Sequence, residues 1–215
     1  MANTTQPPTT RREERRLRQQ DVSRAQLLDA AEEVFGQKGF HETTLKEVAE
    51  LAEFAVGSVY SFFESKDDLF RQIFVRRGEE FMPELHELLD DASVGPVEQL
   101  HALVDLQVGY FRRHPHFGRL YLRYSSATSL STDREIDLAM KDRYEDAMQL
   151  QAALFKRGQR ARVFRKGDPE VMARLFSGLI SAYQALDPAV VSDDSKRERL
   201  ALRDLHDIVE RAFAA

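Results

Sequence analysis

The chain has 215 residues, 42% apolar and 31% charged, with no cysteine and a net charge of −5. That is enough chain to bury a core without staples, and the missing cysteines exclude disulfides, thiolate metal sites and cysteine nucleophiles. No run approaches the ~18 apolar residues of a membrane span, and the arginine-bearing N-terminus lacks a signal-peptide apolar stretch, so a soluble, cytoplasmic protein is expected.

Residues 1–10 (MANTTQPPTT) have nothing to bury and, with the arginine-rich stretch that follows, are expected to form a disordered basic arm over 1–21. From about residue 22 the chain reads as helix after helix. Leu27, Leu28, Ala31, Val34 and Phe35 repeat at helical spacing after a Ser23–Gln26 capping pattern, and Gly39 stands where the helix should stop. Thr44 with Glu47 opens a helix over 44–52, and a shorter one follows over 56–62. Ser65 with Asp68 opens a helix over 66–91, which Pro83 should bend because its ring crowds the preceding turn. Gly95-Pro96 starts the next, Pro115 ends it and opens a short one, and Thr132 with Glu135 caps a long helix toward Gly158. Asp168-Pro169 and Ser195 with Glu198 open the last two. No alternating strand is present, so an all-α fold of about nine helices is predicted.

The segment 44–62 carries the chemistry. A short amphipathic helix, a three-residue break (Glu53-Phe54-Ala55) and a second short helix form the pattern of a helix-turn-helix, whose second helix enters the DNA major groove. Val56, Gly57, Ser58 and Ser61 are small enough for close approach, while Tyr60 and Lys66 offer a hydroxyl and an ammonium to phosphates. Pattern alone allows a plain helical hairpin equally well.

Leu28-Asp29-Ala30-Ala31, Val34-Phe35, Gly39-Phe40, Thr43-Thr44, Val48-Ala49, Gly57-Ser58-Val59-Tyr60, Phe62-Phe63 and Ser65-Lys66-Asp67 together resemble the tetracycline-repressor (TetR) family of bacterial regulators over residues 24–70. The resemblance implies a DNA-binding domain over 22–66 and an effector-binding and dimerisation domain over 67–215. It implies a homodimeric repressor on double-stranded DNA with a palindromic operator. Carried over position by position, Thr44 and Lys46 would hold phosphate, Val56, Ser58 and Ser61 would face bases, and Gly57 would admit the backbone. Tyr60, Phe62 and Lys66 would lie along the sugar–phosphate backbone, with Ala55 at the start of the reading helix. Three positions depart from the family: Glu53 replaces the turn glycine, Ala55 the capping serine and Phe62 a tyrosine. Glu53 is expected to turn away from the duplex.

Charge fits less well. Arg11 to Lys66 holds nine Lys/Arg against eleven Asp/Glu, so phosphate attraction should be weak. The arginines of 11–18 either compensate, lying along the phosphates or in the minor groove, or belong to a solvated, disordered tail. Glu53, Ala55 and this charge favour the competing class, an interaction module of the same fold without DNA binding.

Effector-pocket candidates are Phe81, Leu85, Phe111, Phe117, Tyr121, Tyr124, Phe155, Phe176 and Tyr183, which imply a small, mainly hydrophobic ligand. Val171, Leu175, Leu179 and Tyr183, with Leu202, Leu205 and Val209, form the expected dimer seam. The cluster at 112–123 is open to two readings, an anionic subsite or a solvated surface. His114 and His116 suit capping and packing better than metal binding. His86-Glu87 begins a zinc-protease pattern that Asp90 breaks. No catalytic constellation, metal site or cofactor is expected.

Overall fold

The computed structural model describes residues 10–91, 93–124, 134–192 and 201–215, without side chains over 134–142. Within them lie ten helices: α1 (Arg11–Lys38), α2 (Leu45–Leu51), α3 (Val56–Val59), α4 (Lys66–Asp90), α5 (Pro96–Arg113), α6 (Pro115–Tyr124), α7 (Arg134–Arg160), α8 (Pro169–Leu186), α9 (Pro188–Val191) and α10 (Leu202–Phe213). Among the described residues there is no strand, only an isolated bridge between Phe164 and Ala214, and no helix is long and apolar enough to cross a membrane. The all-α expectation holds. The extra helix is α9, a single turn started by Pro188 and capped by the Asp187 carboxylate.

The helix boundaries follow local chemistry. Thr44 caps α2 in a reciprocal box with Glu47, Ser65 caps α4 by accepting from the Asp68 N–H, and Asp168 caps α8 ahead of Pro169. Gly39 ends α1 at φ 84°, a conformation costly for a side chain-bearing residue. The start of α1 corrects the expected disordered arm: residues 11–21 are helical. Thr10 and Glu13 form a capping box twelve residues upstream of the predicted start, and no glycine or proline interrupts the chain from there to Phe35. Ser23 is therefore internal. Thr132, Ser195 and Glu198, the other proposed caps, lie outside the described residues, as do positions 1–9 of the arm.

Two apolar cores organise the molecule. The first joins α1, α2, α3 and the opening turns of α4 (Leu69, Phe70, Ile73 and Phe74), and also takes Tyr110, Phe117 and Leu120 from α5 and α6. The second joins the rest of α4 and α5 to α7, α8 and α10 around Phe155, Phe164, Phe176 and Phe213. Phe81 packs against both. The head therefore rests on α6. Gly36 lets the helices meet, since a Cβ there would lie 2.8 Å from the His116 carbonyl oxygen.

Buried charges also tie head to body. Glu32 is 5% exposed at a core-facing position of α1. It accepts from Arg76 at 3.0 Å and from Arg77 at 2.8 and 3.0 Å. The Tyr110 hydroxyl donates to the Arg77 carbonyl at 2.9 Å, and burial holds its pKa above the usual phenol range, with Glu80 adding to the effect. Sequence reasoning missed this network. Its signal was an acid inside the apolar stripe of α1, which demands a partner.

Candidate nucleic-acid interface

The head displays a short, tightly anchored reading element. Val59 is fully buried and Phe63 is 2% exposed, so both fasten α3 to the core. Ala55, Val56, Gly57, Tyr60 and Ser61 face solvent and Ser58 is half-buried. Regular helix covers only 56–59. The remainder of the predicted 56–62 helix is turn, in which Phe62 and Phe63 both donate to the Val59 carbonyl at 3.0 Å. Ala55 caps α3 without any side-chain hydrogen bond, as its lack of a hydroxyl requires. A Cβ at Gly57 would meet nothing within 4 Å. Nothing inside the chain forces glycine there.

The turn resolves the Glu53 departure. Glu53 adopts φ 60°, the left-handed region that glycine enters at no cost, and its side chain is exposed. The turn then closes through the Phe54 N–H on the Ala49 carbonyl at 2.8 Å.

Each expected phosphate contact has a definite surrounding. Thr44 is exposed, but its N–H and hydroxyl both donate to the Glu47 carboxylate at 2.9 Å. The hydrogen bond from Lys38 lowers the Glu47 pKa most, and those from Thr44 bring it to about 2. A carboxylate thus occupies the start of α2 where a phosphate was expected. Lys46 is exposed and loosely paired with Glu50 at 3.5 Å. Lys66 is half-buried, its Nζ 4.5 Å over the Phe40 ring and 3.3 Å from the His41 carbonyl, which ties the end of the reading element to the α1–α2 turn. Phe62 departs from its expected place along the DNA backbone: it packs against the head core, as a ring without a hydroxyl should.

These features meet in one family. Residues 27–73 match the bacterial regulatory proteins of the tetR family, a span that holds the Thr44–Glu47 capping box, the turn, α3 and the Ser65 cap. Residues 27–73 carry the DNA-binding head of a TetR-type regulator. It is 38% identical over 74 residues to the uncharacterized HTH-type transcriptional regulator YfiR of Bacillus subtilis, a match covering 34% of this chain and only 36% of that protein. In fold it resembles a putative transcriptional regulator of Saccharomonospora viridis in complex with choline, with a TM-score of 0.73 and 20% identity over 91% of this chain and 99% of the other. The transcriptional regulator FadR of Bacillus subtilis, in complex with stearoyl-CoA, gives a TM-score of 0.68 and 18% identity over 87% and 95%.

The body distributes the remaining candidates unevenly. Phe111, Phe117, Tyr121 and Tyr124 join the head-side core, whereas Leu85, Phe155 and Phe176 are fully buried in the body core and Tyr183 packs on it. The nine do not form one group. Of the dimer-seam residues, Val171 and Leu175 are 52% and 61% exposed, while Leu179, Tyr183 and Leu202 are half-buried. Leu205 and Val209 correct the prediction, being 2% and 0% exposed inside the protomer's own core; Ile208, at 51%, takes the outer face of α10. In the 112–123 cluster, Arg112 matches neither reading: it turns inward to the fully buried Asp187 at 2.6 Å. Arg113 pairs with Glu84 at 3.0 Å, and Arg119 meets the His116 ring at 2.7 Å. His114 caps the end of α5, where burial lowers its pKa.

Proposed function

We propose that the chain is an effector-responsive transcriptional repressor that binds a palindromic operator as a homodimer. The carrying observation is the surface of α3: exposed, small side chains at Ala55, Val56, Gly57 and Ser61, on a turn whose buried anchors leave it no freedom to retreat. Such a surface fits a major groove ~12 Å wide. In this reading Val56, Ser58 and Ser61 face base edges, and Tyr60, Lys46 and Lys66 contact phosphate. The exposed apolar stripe Val171, Leu175 and Leu186 of α8, with Ile208 of α10, supplies the dimer seam, and the repressor sign rests on the family.

The effector is a small, mainly hydrophobic molecule among the body helices. Supporting this are the aromatic content of α5, α6, α7 and α8 and the fold relatives that hold choline and stearoyl-CoA. Coupling runs through α6, where the Tyr124 hydroxyl accepts the Phe40 N–H at 2.9 Å. A ligand that tilts α6 therefore moves the start of the helix-turn-helix.

Selection of random duplexes by the purified protein, followed by binding of the enriched sequence, tests the reading. Lys66→Ala should weaken all duplexes alike, whereas Ser58→Ala and Ser61→Ala should change the preference among them. A compound that raises the melting temperature should lower operator affinity ~5–150-fold. Stabilisation that leaves affinity unchanged would remove the regulatory part of the proposal.

A further inference from the structure

The head is short of free positive charge. From Arg24 to Lys66 it carries four cations against eight carboxylates. Lys38 pairs with Glu47 and Lys46 with Glu50. Lys66 is folded over Phe40, and Arg24 donates to Gln72 at 2.8 Å. Phosphate neutralisation supplies most of the sequence-independent affinity of a DNA-binding protein, so this head needs another source.

That source stands on the N-terminal part of α1. The first twelve residues of the helix are all exposed, so that at 1.5 Å per residue ~18 Å of it leaves the body. At 100° per residue, Arg11, Arg12, Arg15, Arg16 and Arg18 share one face of ~160°. Glu13, Glu14, Leu17 and Asp21 fall on the opposite side. Among the described residues the arginines make one loose ion pair, Arg18 to Glu14 at 3.9 Å. A membrane-surface helix would need a continuous apolar side, but the two exposed apolar residues here are far apart around the helix, Leu17 among the acids and Val22 among the arginines. Placement is equally informative. Arg24, where the extension joins the body, lies 5.3 Å over the Phe63 ring, and Phe63 closes the turn that follows α3.

We infer that the arginine face of residues 11–18 is a second DNA-binding surface, a rigid helical outrigger that engages phosphates alongside those met by the helix-turn-helix. The inference rests on the DNA-binding reading but not on sequence specificity, since phosphates carry no base information.

The test uses the full-length protein and a 40-base-pair duplex of arbitrary sequence. Arg11, Arg12, Arg15 and Arg16 are replaced together by Gln, and dissociation constants are measured from low to moderate salt. With about four phosphates released per dimer, the slope of log K against log salt should become shallower by ~3–4, with at least a ~10-fold loss of affinity. The matching Arg→Lys variant should keep the parent's slope, and Glu13→Gln with Glu14→Gln on the opposite face should not reproduce the loss. Circular dichroism and melting should be unchanged, because these residues touch no core. Equal slopes and affinities for parent and Gln variant would overturn the inference, and so would loss of binding to anionic vesicles alone. If selection enriches no sequence while the slope difference persists, the operator reading falls and the outrigger stands.

Discussion

At the scale of single residues, Glu53 stands where the backbone favours glycine, and Glu47 completes the capping box of α2. A left-handed backbone costs an L-residue ~1–2 kcal/mol, partly offset by the entropy glycine loses on folding. Glu53→Gly should therefore stabilise the protein by ~0.5–1 kcal/mol in urea unfolding, and Glu53→Ala should bring no such gain. Glu47 is held ionised by Lys38 and Thr44, with a pKa lowered from 4.5 to about 2. Its folded-state pKa lies below its unfolded value, so its stabilisation is complete above pH ~4.5 and is lost as pH falls toward 2. Glu47→Gln should flatten the acid limb of stability across that window, visible in urea midpoints measured at successive pH values. An unchanged acid limb would mean that the box at Thr44 adds nothing to folding.

At the scale of elements, close approach and buried charge set the joints. Gly36 of α1 faces the backbone of α6, which cannot yield as a side-chain tip would. Gly36→Ala should cost ~1–3 kcal/mol by overpacking and should loosen the head from the body, seen as faster hydrogen exchange in α6. Arg112 joins α5 to Asp187 between α8 and α9. Removing one partner of a buried pair leaves the other uncompensated, so Arg112→Ala should destabilise by ~3–5 kcal/mol in thermal or urea unfolding. The helices themselves were largely legible in the sequence, because caps and 3.6-residue periodicity are local signals. Thr44–Glu47, Ser65, Gly95-Pro96 and Asp168-Pro169 all mark real starts. The start of α1 was missed because an exposed helix has no apolar stripe to announce it. The helix-turn-helix was legible for a further reason: the short α2, the three-residue break and the small side chains at Val56, Gly57 and Ser58 are themselves a local pattern. The inward turn of Arg112 and the covered face of α10 depend on tertiary neighbours, which spacing does not encode.

At the scale of the whole molecule, the proposed repressor is two copies of one reading element carried on bodies that an effector would move. Leu175 is 61% exposed on α8, so Leu175→Arg should leave the protomer folded while light scattering falls from dimer to monomer mass. The same change should abolish high-affinity operator binding, because one four-residue helix contributes too little contact alone. The most direct measurement is a base-by-base substitution scan of the enriched duplex, reading affinity at each position. A dimeric reader should give two mirror-related clusters of sensitive base pairs, one helical turn or a multiple of it apart, ~34–36 Å for one turn. In Leu175→Arg protein both clusters should disappear together. A single asymmetric cluster, or uniform sensitivity along the duplex, would contradict the claim that two copies of residues 55–61 read the operator.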